Sequence, residues 1–218
     1  MAEPSSETIT QKPRIPMLKH APQTTEETRR SLKWRVVDIA VGAAVGVMSG
    51  VMFWVFDGMS YGLFPLLTLI LPGSAALLHA LFYFPATLGL LIVRKLGASA
   101  YVLLVASFVE VVLGTKYSVS LVVIALVQAL AAETVFAVFR YRRWTLGVTL
   151  LSSVAIGIVY NFYLLFFYYQ AFSFFSPRGL IGTACELLSA AVFAGFGSWG
   201  LYRALAKSGV LTRFVSGR

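Results

Sequence analysis

From residue 36 to about residue 203 the sequence is a succession of apolar runs, and the basic residues sit in the short breaks between them. A bilayer core about 30 Å thick asks for ~20 residues of helix at ~1.5 Å rise per residue. The runs predict helices at about 36–57, 73–95, 98–114, 118–139, 146–169 and 179–203. Breaks fall at Pro72-Gly73, Gly97, Gly114, Arg140–Arg143 and Pro177-Arg178-Gly179, where turn chemistry or charge interrupts a helix. Of the 218 residues, 58% are hydrophobic and only 12% charged, whereas a water-soluble domain carries about 25% charged residues. The expected fold is an all-α polytopic membrane protein with six transmembrane helices. Residues 58–72 are apolar, yet short for a span and broken by Gly58, Gly62, Pro65 and Pro72, so an interfacial or re-entrant loop is expected there.

The basic residues set the orientation. With six spans, 16 of the 18 lysines and arginines fall on one side, against Lys116 and Arg178 on the other. Positive charge stays on the cytoplasmic side, so both termini are expected in the cytoplasm and the chain in the cell membrane. A seventh span at 58–72 would scatter those charges. The expected domains are a disordered cytoplasmic tail (1–34), a membrane domain (35–205) and a basic cytoplasmic tail (206–218). The first tail is polar, carries four of the eight prolines and has no uninterrupted apolar segment of signal-peptide type, so no cleaved leader is expected.

Several function classes are excluded. The single Cys185 forbids an intrachain disulfide or a multi-cysteine metal site, and the two histidines, His20 and His79, are too few for a histidine-rich centre. The +9 charge lies between membrane runs rather than on a polar face, so no nucleic-acid partner is expected. No phosphate loop, HExxH or GxSxG motif occurs, so the chain is not expected to hydrolyse ATP or bind a cofactor directly.

What remains is polarity inside oil, which is costly and marks cavities or partners. Measured at ~1.5 Å per residue from the outer helix ends, Trp54, His79, Glu110, Gln128, Asn161 and Glu186 all lie within ~15 Å of the extracytoplasmic side. Tyr83 follows His79 by four residues and Tyr168 follows Asn161 by seven, placing each pair on one helical face. Carboxylates, amides and aromatic walls in an outward pocket suit a small, flat, cationic or amide-bearing heteroaromatic ligand. The candidate binding residues are Trp54, His79, Tyr83, Glu110, Gln128, Asn161 and Glu186. Asp38 and Asp57 read as interfacial or capping residues, and Glu133, deeper in its helix, as a partner for a base such as Arg140. On the first helix, Ala40 and Ala44 form one small-residue stripe and Gly42, Gly46 and Gly50 another. Such stripes admit a closely approaching helix, from this chain or from a partner subunit. The rival reading is a small intramembrane enzyme using Glu110 or Glu133 with His79 as acid and base.

Three ordered motifs carry a family resemblance: Arg94-Lys95-Leu96-Gly97-Ala98, Val109-Glu110-Val111-Val112-Leu113-Gly114, and Val127-Gln128 through Glu133-Thr134-Val135-Phe136. They resemble RKPGA, (V/I)E-x-x-LG and QG-x-GAE-x-x-F of the YkoE family, substrate-binding (S) components of energy-coupling factor (ECF) transporters associated with thiamine and its hydroxymethylpyrimidine precursor. Arg35-x2-Asp38-Ile39, Phe53-Trp54, Tyr160-Asn161 and Gly209-Val210-Leu211 add to the likeness. Leu96 stands where the family has proline, and Ala129 and Ala131 where it has glycines. The resemblance implies a six-helix S component that takes thiamine, its precursor or another vitamin from outside. It also implies docking on a transmembrane T component through the first helix, with two cytoplasmic ATPases hydrolysing ATP.

Overall fold

Asp38 fixes the start of the first helix. Its Oδ2 accepts the Arg35 backbone N–H at 3.0 Å, and its Oδ1 accepts the Arg35 guanidinium at 3.2 Å, so the carboxylate answers an otherwise orphaned donor at the N-terminus. Lys95 Nζ lies 3.8 Å from the same carboxylate, pinning the helix start to a later turn. Burial pulls the Lys95 pKa down, and Asp38 pushes it back up. The computed structural model describes residues 33–115, 120–170, 173–209 and 211. Residues 1–32, Lys116, Val210 and 212–218, which the sequence assigned to tails, a loop and a family motif, lie outside the described residues.

From Asp38 the helix, α1 (Val36–Ile70), runs 35 residues without a break. The loop expected at 58–72 is therefore corrected to helix as far as Ile70. Pro65 removes only the one hydrogen bond its missing N–H would make, while Phe53, Asp57, Ser60 and Phe64 recur at helical spacing along one wall of a cavity. Gly42, Gly46 and Gly50 continue that face toward the N-terminus and are buried. A Cβ on Gly46 would lie 2.7 Å from Val105 Cβ, and one on Gly50 would lie 2.5 Å from the Ala106 carbonyl oxygen. This glycine stripe thus serves packing within the chain, against α3 (Ala98–Val112). Ala40 and Ala44 face outward.

Leu71 to Gly73 turn the chain, with Gly73 at φ +96° and pressed against Gly182 too closely to admit a Cβ. The second span is not one α-helix: Ser74–Phe82 is a 3-10 segment, and α2 (Phe84–Val93) follows with Pro85 in its first turn. This span is the central one, 72% buried against 28–44% for the other long apolar spans. Then come α3, α4 (Ser120–Val138) and α5 (Leu146–Phe167), the last capped by Thr145. The final rod joins α6 (Pro177–Ser189), a π-helical segment (Ala190–Gly197) and α7 (Ser198–Lys207).

Hydroxyls sew this rod to the central span. Ser189 donates to the Leu77 carbonyl at 2.6 Å, Thr87 to that of Ala194 at 3.0 Å, and Ser198 to that of Phe84 at 3.0 Å. Such ties answer polar groups for which lipid offers no partner. No strand occurs among the described residues. Five helices are long and apolar enough to cross a membrane, and Ala98–Val112 is a shorter apolar sixth. The chain is a multi-pass membrane protein.

Among the described residues Glu133 pairs with no base, Arg140 included. Its Oε1 accepts the Ser99 backbone N–H at 3.0 Å, and its Oε2 accepts the Tyr141 hydroxyl. It caps α3 from outside and anchors the α4–α5 turn, where Arg140 and Tyr141 take φ of 52° and 54°. Burial and the Glu133 hydrogen bond push the Tyr141 phenol pKa up.

Candidate functional site

At the opposite end of the bundle, α1, the 3-10 segment, α3, α4 and α5 stand around a cavity of about 320 Å³. Each wall carries its side chains at helical spacing: Leu103, Ser107 and Glu110 on α3, Leu121, Ala125 and Gln128 on α4, Tyr160, Leu164 and Tyr168 along and just beyond α5. In a 3-10 helix positions three apart eclipse, so His79 and Phe82 both face inward from the central span.

Three features define its chemistry. Two carboxylates, Asp57 and Glu110, line it, and among the described residues no lysine or arginine does. The Thr115 hydroxyl stands beside them, donating to Asp57 Oδ2 at 3.4 Å. Gln128 is 3% exposed, and among the described residues its Nε2 has no hydrogen-bond partner, a state that costs free energy until an acceptor arrives. Aromatic rings complete the walls: His79 meets Phe64 and Tyr160 edge-on at 5.9 and 5.6 Å.

His79 is held from behind. Its Nδ1 lies 2.5 Å from Glu186 Oε2, while Tyr83 donates its hydroxyl to Glu186 Oε1 at 2.8 Å. Both Tyr83 and Glu186 are fully buried and are not among the residues that line this cavity. With Nδ1 committed to a carboxylate, the imidazole offers Nε2 elsewhere.

Of the candidates from the sequence, the structure brings His79, Glu110 and Gln128 together on this cavity. Tyr83 and Glu186 stand behind His79. Asn161 lines a second, adjoining cavity and donates Nδ2 to Thr183 Oγ1 at 2.9 Å. Trp54 is 44% exposed on the outer face of α1 and lines neither. Glu133 sits at the other end of the bundle, so it does not join Glu110 and His79 in an acid–base group. Asp57, expected from the sequence to be an interfacial or capping residue at a helix end, stands instead inside α1 on the cavity wall; Ser60, Phe64 and Ser107 are wall residues that the sequence did not single out. The spacing of Phe53, Asp57, Ser60 and Phe64 was a signal for them, hidden once 58–72 read as a loop.

A family model described as "ABC-type cobalt transport system, permease component" matches residues 37–159. The chain belongs to that family. It is 25% identical over 189 residues to "Putative HMP/thiamine permease protein YkoE" of Bacillus subtilis (strain 168), covering 85% of this chain and 91% of the relative. A solved structure, "Crystal structure of an S-component of ECF transporter", superposes with a TM-score of 0.77 at 26% identity, covering 85% of this chain and 92% of that one. The protein is an ECF S component. S components are a non-enzymatic class of transport subunit, in which ATP hydrolysis belongs to separate subunits.

Proposed function

We propose that this S component captures thiamine or its hydroxymethylpyrimidine precursor from outside the cell and delivers it inward together with a T component and two ATPases. The observation that carries the reading is the pairing of two cavity carboxylates with the unpartnered Gln128 amide. A thiamine-like ligand matches the groups on that cavity: a ring cation beside Asp57 and Glu110, a ring-nitrogen acceptor for Gln128 Nε2, and flat faces against Tyr160 and Phe82. The name of the Bacillus subtilis relative points the same way.

The basic residues at the end away from the cavity orient the chain with both termini in the cytoplasm and the cavity outward. The T component docks on the outward-facing Ala40–Ala44 stripe of α1. No cofactor is bound directly, and ATP is consumed by the partner subunits.

The test is calorimetric titration of the purified, detergent-solubilised chain with thiamine and with hydroxymethylpyrimidine, without ATP. Binding of at least one is expected, and Glu110→Gln should weaken thiamine about 30-fold or more, the scale for truncating one member of a buried charge pair. Unchanged thiamine affinity in a folded Glu110→Gln variant rejects the counter-charge role. Failure of both ligands to bind rejects the substrate class.

A further inference from the structure

Glu186, on α6, is fully buried, yet both of its carboxylate oxygens are engaged. Oε2 lies 2.5 Å from His79 Nδ1, and Oε1 accepts the Tyr83 hydroxyl at 2.8 Å. A carboxylate at this depth is costly unless donors answer it, and the imidazole N–H and the phenol are those donors. One turn along α6, Ser189 clamps the helix to the 3-10 segment on either side of His79. Its hydroxyl donates to the Leu77 carbonyl at 2.6 Å and accepts the Ala80 backbone N–H at 3.3 Å. Phe64 and Tyr160, edge-on to the imidazole at 5.9 and 5.6 Å, limit its rotation. The ring is therefore fixed in both place and orientation.

Its two nitrogens then have separate duties. His79 lines the acidic cavity and the adjoining one, whereas Glu186 is among the lining residues of neither. Nδ1 and Nε2 point away from opposite edges of the ring, so with Nδ1 turned back to Glu186, Nε2 is turned to the open side. A proton kept on Nδ1 by the carboxylate leaves Nε2 with a lone pair and no hydrogen. Gln128 offers the converse on the same cavity, an Nε2 donor with no partner among the described residues.

We infer that Glu186 is a positioning residue that fixes His79 as a hydrogen-bond acceptor toward the cavity, so that the site selects a heteroaromatic ring bearing an amine and rejects the matching oxo ring. This inference rests on the proposed binding of thiamine or its precursor and deepens it by naming the group on the ring that is read. Both of those ligands carry an exocyclic amine on the pyrimidine, next to a ring nitrogen. In oxythiamine, the 4-oxo analogue of thiamine, a carbonyl oxygen replaces that amine. Two lone pairs then face each other at His79 Nε2, while a ring-nitrogen acceptor remains for Gln128.

The test is calorimetric titration of the purified full chain with thiamine and with oxythiamine, together with 15N NMR of the chain labelled at histidine. The wild-type chain should prefer thiamine by at least about tenfold, the scale of one mismatched buried hydrogen bond, and His79 should carry its proton on Nδ1. In Glu186→Gln the amide oxygen keeps the Tyr83 hydroxyl and the amide N–H faces Nδ1, which moves the imidazole proton to Nε2. That variant should lose the preference or reverse it, with the NMR signal shifting to the other tautomer. Ser189→Ala loosens the same pair of elements but leaves the carboxylate in place, so stability should fall while the preference holds. Preference lost equally in Ser189→Ala reduces Glu186 to packing and overturns the inference. Equal wild-type affinity for the two ligands, or a proton on His79 Nε2 in the thiamine-bound wild type, overturns it while thiamine binding still stands. Those two wild-type readings decide the matter if Glu186→Gln does not fold. A chain that binds neither thiamine nor hydroxymethylpyrimidine overturns the parent proposal as well.

Discussion

The packing of α1 on α3 yields a prediction that two substitutions on one helix can decide. A Cβ added at Gly50 would sit 2.5 Å from the Ala106 carbonyl oxygen and 2.7 Å from Val109 Cβ. Carbon atoms rest at about 3.5–4.0 Å, so α1 and α3 must separate by roughly 1 Å or distort locally. Overpacking of this kind costs about 1–3 kcal/mol. The displacement also separates Phe53 and Asp57 on α1 from Ser107 and Glu110 on α3, all of which line the cavity. Gly50→Ala should therefore lower the thermal midpoint in detergent and weaken ligand binding together. Gly58, eight residues along the same helix, has nothing within 4 Å of its added Cβ. Because Gly58 lies inside α1, Gly58→Ala should be neutral or stabilising by up to about 1 kcal/mol, the helix-propensity difference between the two residues. The assay is paired thermal unfolding of both variants with ligand titration on each. A Gly50→Ala variant as stable as wild type would refute the close approach of α1 and α3, and a strongly destabilised Gly58→Ala would refute the open surface at that position.

Gln128→Met removes the unpartnered amide while roughly keeping the volume, so stability should hold or rise by about 1–3 kcal/mol as ligand affinity falls about tenfold; the two are read by unfolding and titration of the same sample. In Glu186→Gln the new amide donates to His79 Nδ1 rather than accepting from it, which reverses the hydrogen-bonding role Nε2 can offer. Ligand affinity should drop in a chain that still folds, and NMR of the imidazole should show the changed tautomer. Ala44→Leu leaves both cavities untouched, so the isolated subunit should bind ligand as before, whereas uptake by cells carrying the whole transporter should fall sharply; equal uptake would place the docking face elsewhere.

Much of this architecture is written in the apolar runs, because a span must be about as long as the bilayer core is thick. Glu110, Gln128 and His79 could be singled out because burying such groups in oil demands a reason. Three things were not legible. Pro65 and its neighbouring glycines read as breaks, yet a helix end that packs one face on a cavity wall tolerates a missing hydrogen bond. The 3-10 and π-helical segments left no periodic signature of their own, since their geometry follows from packing between Thr87, Ser189, Ser198 and the carbonyls they bond. The two small-residue stripes of α1 look alike in sequence, and only the fold separates the one filled by Tyr101, Val105 and Val109 from the one left outward. Trp54 shows the converse: an aromatic ring at the right depth faces away because the helix has rotated Phe53 and Asp57 inward.

An unbroken α1 has a mechanical meaning. Ala44 and Asp57 are thirteen residues apart on one rod, about 20 Å at helical rise, and Pro65, where a rod of this kind would hinge, lies beyond both. A push on the flank at Ala40 and Ala44 therefore arrives at the acidic wall as a tilt of the same lever, with no slack joint to absorb it.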